Sequence, residues 1–288
     1  MIIAELCGGL GNQMFQYANA QTISIRNNTP LKLLYVRNKG DTPREYSLGH
    51  FAIKAEKISG ISELLIYHSF KPAIFSQILR KIFYSKFTVR IEGSETWKAG
   101  ISIFKDNIYL RGFWQSERYF KDISSILRSE LVPKEQISKQ SIKILKQILN
   151  TQSVSIHVRR GDYFSDSKVK AIHNTYSKEY YHKAVEYIKG KVKRPVFYIF
   201  SDDLRWCEKN LKIENKIIYV KGNGVKKDYL DLWLMSKCKH NIITNSSFSW
   251  WGAWLNRNVN KIVIAPKKWF RNSSVSSVNI VPNIWIQI

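Results

Sequence analysis

Val196-Phe197-Tyr198-Ile199-Phe200-Ser201-Asp202-Asp203 is an unbroken apolar run that stops abruptly at polar residues. Five consecutive apolar side chains cannot alternate between core and water. The run therefore reads as a strand buried on both faces, the habit of a parallel sheet covered by helices. Similar runs stand at Ser153–Val158, Lys216–Val220, His240–Thr244 and Lys261–Ala265, and in the first half at Ile2–Leu6, Leu31–Val36 and Ile108–Arg111. Helical periodicity is predicted between them, over Met14–Arg26, Ser116–Leu131, Lys134–Leu149, Lys178–Lys189, Lys227–Lys237 and Ser247–Leu255. Strands alternating with helices place the chain in the α/β class with doubly wound parallel sheets.

A chain of 288 residues exceeds the usual size of one compact α/β unit and is expected to form two domains. Pro133 and the lysine-rich segment over 137–149 mark the passage between them, giving domains 1–150 and 151–288. The stretch from Arg37 to Gly100 is irregular and yields no element boundaries.

Composition removes several function classes. An apolar start that runs at once into Gly8, Gly9, Asn12 and Gln13 is a first strand rather than a signal peptide, and no segment has the ~20 apolar residues of a membrane span. Cys7, Cys207 and Cys238 are odd in number and far apart, which argues against a disulfide framework or a structural zinc site and fits a reducing cytoplasm. The formal net charge of +24 admits nucleic acid, an anionic membrane face or an anionic small substrate as partner. Its lysines are dispersed, with only short clusters such as Lys189, Lys191, Lys193 and Arg194. A field attracting acidic lipid is thus at least as natural as a nucleic-acid groove.

Four constellations carry chemistry, each following a strand. Gly8-Gly9-Leu10-Gly11-Asn12-Gln13-Met14-Phe15-Gln16-Tyr17 lets backbone approach a ligand at a helix N-terminus, and reads equally as a tight turn capped by Asn12. It lacks the G-x-G-x-x-G spacing of a dinucleotide site. His157-Val158-Arg159-Arg160-Gly161-Asp162-Tyr163 sets four ionisable groups at a strand's carboxyl end, where open α/β sheets bind ligands. His157 and Arg159 project to one side, Arg160 to the other. A guanidinium there can hold a diphosphate with two parallel hydrogen bonds, or merely pair with an aspartate. In Ser201-Asp202-Asp203, one carboxylate can read a ribose or guanine edge while the other caps the helix starting at Leu204. A divalent metal on this pair is the weaker reading, since no other acidic cluster is visible. In Thr244–Trp254, hydroxyls and N–H groups at a helix start suit phosphate, and Phe248 can pack on a flat base; Trp250, Trp251 and Trp254 have the spacing of core residues.

Taken in order, G-G-L-G-N-Q-M-F-Q-Y, H-V-R-R-G-D-Y, S-D-D and S-S-F-S-W-W-G-A-W-L resemble the α1,2-fucosyltransferases, glycosyltransferase family eleven, over residues 8 to about 255, with Gly112-Phe113-Trp114-Gln115-Ser116-Glu117 as a fifth match. The resemblance implies a GT-B-like fold of two Rossmann-like domains facing a central cleft. The N-terminal domain would bind mainly acceptor and the C-terminal domain GDP-fucose. It further implies metal-independent, inverting transfer, with no cofactor, to a galactose hydroxyl of a glycan or lipid-linked oligosaccharide. Arg159 would take the departing phosphate, and Asp162 is a candidate base. Donor contacts would come from Asn12, His157, Arg160, Asp202, Asp203, Ser246, Ser247 and Phe248. Gln115 and Glu117 are acceptor candidates, Glu117 also a candidate base. Animal members carry an N-terminal anchor that this chain lacks, which points to a bacterial cytoplasmic form, held peripherally at the inner membrane face by its charge. The rival readings are an O-fucosyltransferase with another acceptor and a basic nucleic-acid-binding protein. The latter leaves the clustering of polar residues at strand ends unexplained.

Overall fold

Burial on both faces is what the strand sequences demand, and the computed structural model supplies it. It describes residues 1–36, 45–60, 86–92, 107–160, 178–221, 223–224, 227–270 and 279–288. These fall into two compact units, Met1–Leu131 and Val132–Ile288. Each is built on its own all-parallel sheet.

In the first unit, β1 (Ile2–Leu6) is buried along its whole length and leads into α1 (Leu10–Arg26) and β2 (Leu31–Tyr35). Short strands β3 (Glu56–Lys57), β4 (Thr88–Ile91) and β5 (Ile108–Arg111) follow. The sheet order is β3-β2-β1-β5-β4. Helix α1 begins at Leu10 rather than Met14 because Gly9 serves as its N-cap, which draws the glycine motif into the first helical turn. Its polar residues Gln13 and Gln16 are buried and staple loops to the helix: Gln13 donates to the carbonyls of Gly8 and Glu45 and accepts from Ser47 N, and Gln16 accepts from Cys7 N. Further along, Tyr17 and Gln21 both donate to the buried Glu130 carboxylate, which ties α1 to α2 (Ser124–Glu130).

The single helix expected over Ser116–Leu131 is broken into two 3-10 turns and α2. Phe120, at φ −144° and ψ 12°, lies outside helical backbone geometry, and its buried ring packs on Phe15. Tertiary packing of that ring overrides the local helical pattern.

The second unit opens with α3 (Lys139–Leu149), whose start is set by Ser138 accepting from Ser141 N. There follow β6 (Gln152–Val158), α4 (Lys178–Lys189), β7 (Pro195–Ser201), α5 (Leu204–Asn210), β8 (Ile217–Tyr219), α6 (Asp228–Lys237), β9 (His240–Ile242), α7 (Ser247–Leu255), β10 (Val263–Ala265) and β11 (Ile286–Gln287). The order is β11-β10-β9-β6-β7-β8. The division between units falls before α3, not near residue 150, because α3 belongs to the second unit: Ser141 donates to Asn223, and Asn223 donates to Asp231 of α6. Helices α6 and α7 pack so closely that a Cβ on Gly252 would stand 3.0 Å from Met235 Cβ. The tryptophans of α7 form core, as their spacing indicates: Trp250 and Trp251 are fully buried and Trp254 nearly so.

Candidate functional site

Both sheets have a point where the chain, having added strands on one side of the first strand, returns to the other. Such a switch point opens a crevice beyond the carboxyl ends of the strands. In the second unit it lies between β6 and β9, and in the first between β1 and β5.

At the β6–β9 point, residues 153, 155 and 157 share one face of β6 by strand alternation. Ser153 Oγ accepts from Lys239 N and Ser155 Oγ from Asn241 Nδ2. His157, the last of the three, is 5% exposed, and its Nδ1 is buried without a hydrogen-bond partner. Its ring lies 5.6 Å from that of Phe248, on the first turn of α7. Ser246, the N-cap of α7, makes no side-chain capping bond, so the helix presents backbone N–H groups with Ser247 and Phe248 half-buried around them. Burial, with the Arg159 charge beside it, pushes the His157 imidazole down from 6.5 to about 3.

That depression has a consequence for stability. The folded protein keeps His157 neutral, whereas the unfolded chain takes up a proton below about pH 6.5. The contribution is therefore complete above that pH and is lost as the pH falls toward 3. His157→Gln is expected to flatten the acid decline of stability, read from urea midpoints at about pH 7 and pH 5; equal slopes for the two proteins would refute the assignment.

Parallel pairing matches His157 with Phe200 and Val158 with Ser201, so the residues beyond each strand end also meet. Arg159 Nη1 lies 3.1 Å from Asp202 Oδ2, both side chains about a quarter exposed. Arg160 turns to other work: its N–H donates to Asp202 Oδ1, its Nε to Asp203 Oδ2 at 3.3 Å, and its guanidinium lies 4.1 Å from the Trp206 ring centroid. Asp203 also caps α5 by accepting from Trp206 N. Of the two roles open to the aspartates, the capping role thus falls to Asp203. Trp206 was not singled out from the sequence, since nothing in its spacing marks a residue whose partner is 46 positions upstream. Asp162 lies outside the described residues.

At the β1–β5 point of the first unit, Asn12 and Gln115 come together, Gln115 Nε2 donating to Asn12 Oδ1 at 2.8 Å. Gly8 makes room for this: it sits at φ +75°, and a Cβ there would stand 2.9 Å from Asn12 Nδ2. Ser116 caps the turn that carries Glu117. The segment between β5 and Gln115 is strained. Gly112 has φ +155° and Trp114 φ +54°. Among the described residues, three of the five non-glycine residues at positive φ are asparagines, which tolerate it; a tryptophan does so at a cost of order 1–3 kcal/mol. Glu92 holds the turn by accepting from Phe113 N at 2.6 Å. It fell in the stretch without legible pattern, so the sequence gives no sign of this role.

Comparison with known proteins is consistent with this arrangement. The family model described as glycosyl transferase family 11 matches residues 1–288. The chain is 35% identical over 296 residues to an alpha-1,2-colitosyltransferase of Escherichia coli, covering 100% of this chain and 99% of the relative. It is 31% identical over 301 residues to the O-antigen biosynthesis glycosyltransferase WbnK of the same species, covering 98% and 99%. The solved fucosyltransferase NodZ from Bradyrhizobium aligns over 87% of this chain and 91% of its own at 13% identity and a TM-score of 0.50, a likeness of fold.

Proposed function

The chain belongs to glycosyl transferase family 11, and on that premise we propose that it moves L-fucose from GDP-β-L-fucose to the 2-hydroxyl of a galactoside, inverting the anomeric carbon. One observation carries the donor half of this reading: at the switch point of the second unit, the neighbouring ends of β6 and β9 bring a guanidinium about a quarter exposed, a buried imidazole with an unpartnered nitrogen, and an uncapped helix N-terminus whose Phe248 ring lies 5.6 Å from that imidazole. Together these suit a diphosphate attached to an aromatic base.

Breaking the sugar–phosphate bond leaves negative charge on the β-phosphate and positive charge on the ring. Arg159, held by Asp202, is the fixed cation that receives it. Neutral His157 lies against the nucleotide and offers Nδ1 to it, while Ser246, Ser247 and the N-terminus of α7 close the phosphate pocket. Arg160 and Asp203 act by positioning, since they lock the β6 and β7 ends to Trp206. The acceptor proton leaves to Asp162, to Glu117 or to the departing phosphate, and Asp162→Asn and Glu117→Gln separate these routes.

The likeness to a colitosyltransferase favours one second reading, transfer of colitose, which is L-fucose without its 3-hydroxyl. Among the described residues no helix is long and apolar enough to cross a membrane. The +24 charge supports a peripheral meeting with anionic lipid, where a lipid-linked glycan of the O-antigen kind would be presented.

The test is a melting-temperature screen followed by turnover. GDP at about 100 times its Kd should stabilise the protein by about 2.7 kcal/mol, and UDP should do much less. Transfer from GDP-fucose should survive EDTA, because Arg159 supplies the charge that a metal would otherwise bring. Equal stabilisation by both nucleotides, or activity only with added magnesium or manganese, would overturn the reading. Faster transfer from a GDP-linked colitose would shift it to the second donor.

A further inference from the structure

The donor groups leave the acceptor unexplained, and the strained turn after β5 addresses it. Gly112 and Trp114, both at positive φ, flank Phe113. The turn is pinned on each side. Glu92 accepts from Phe113 N, Trp114 packs edge-on against Tyr119 with ring centroids 5.5 Å apart, Ser116 N donates to Trp114 O, and Gln115 is bonded to Asn12. The product of all this restraint is an exposed phenylalanine. Phe113 is 44% exposed; among the described residues the other exposed aromatic side chain is Tyr187, at 38%, in the last turn of α4. Backbone strain retained around an exposed apolar ring at a switch point is characteristic of a ligand clamp rather than of core packing.

Resting on the glycosyltransferase reading, we propose that Phe113 is the stacking platform for the acceptor's pyranose ring, with Gln115 and Glu117 beside it for the ring hydroxyls. The chemistry selects a galactoside. The axial 4-hydroxyl of galactose leaves the C3, C4 and C5 hydrogens together on the opposite face, and that apolar, weakly positive patch suits the negative face of an aromatic ring. Gly112 is required for the presentation, because a Cβ there would stand 2.3 Å from Glu92 Cβ and 2.9 Å from its Oε2.

The experiment compares the wild type, Phe113→Ala and Phe113→Tyr. Each is assayed for the KM of lactose at saturating GDP-fucose, for hydrolysis of GDP-fucose without acceptor, and for the GDP-induced rise in melting temperature. In a parallel arm, saturation-transfer NMR follows methyl β-galactoside on the same proteins. Phe113→Ala should raise the lactose KM about tenfold or more and lose saturation transfer to the galactoside ring hydrogens. Hydrolysis and the GDP shift should be unchanged, and Phe113→Tyr should restore the KM to within about twofold. A lactose KM unaltered by Phe113→Ala, with GDP binding intact, would overturn the platform and leave the donor reading standing. A wild type indifferent to GDP would sink the donor reading instead, and the NMR arm alone would then decide: galactoside transfer lost in Phe113→Ala supports the platform, and its absence from the wild type, or its retention in the variant, refutes it.

Discussion

Arg159→Ala is expected to lose roughly 10²–10³-fold in turnover and still fold. Both halves of that result follow from where the side chain sits. Its ion pair with Asp202 is about a quarter exposed on each side, and pairs so open to water contribute only about 0–1 kcal/mol. Against the charge of a leaving diphosphate, held beside the buried His157 and the first turn of α7, the same guanidinium acts where charge develops during the reaction. The loss should therefore appear in kcat and kcat/KM together, with a small change in KM for the donor. Arg159→Lys keeps the charge but not the fork that can hold Asp202 and a phosphate at once, and should be impaired less. Folded Arg159→Ala with near-normal turnover would remove the residue from the mechanism.

Trp250→Ala should be the most damaging change to the fold. Trp250 is fully buried, stacks on Trp254 at 6.2 Å and 11°, meets Trp251 and Trp285 at 5.2 and 5.4 Å, and donates its Nε1 to Ile280 O at 2.7 Å. Truncation removes about 3–5 kcal/mol of packing, and the buried carbonyl left behind costs about 1–3 kcal/mol more. With total stability of order 5–15 kcal/mol, most of the second unit's margin goes. Urea unfolding should show the midpoint collapse, with Trp250→Phe falling between the variant and the wild type. A loss under about 1 kcal/mol would mean that these rings serve a ligand instead of the core.

How far the sequence reached can be judged from particular elements. The apolar runs at Ile2–Leu6 and Ile108–Arg111 became strands with the limits read from them, and the helices at Lys178–Lys189 and Ser247–Leu255 likewise, because the local pattern and the burial demanded by the sheets agree there. Strand β4, with its polar Thr88 and Arg90 and only edge burial, and the two-residue strands β3 and β11 carry no such pattern and are fixed by pairing alone. At the site, adjacency along the chain was legible and adjacency across strands was not. His157, Arg159 and Phe248 could be nominated from their motifs. That Arg160 would settle over Trp206, that Glu92 would hold Phe113, and that Asn12 would meet Gln115 depend on parallel register, which brings together residues 21 to 103 positions apart. Gln13 and Gln16 show the converse. They stand beside Asn12 in the glycine-rich motif, yet both are consumed in holding the loop that the motif forms.

A crystal structure with GDP bound puts the account at most direct risk. The β-phosphate should lie within hydrogen-bonding distance of Arg159 and the first turn of α7, with the base beside Phe248 and His157. Nucleotide bound away from the end of β6 would contradict the assignment of this strand terminus as the place where the leaving group's charge is received.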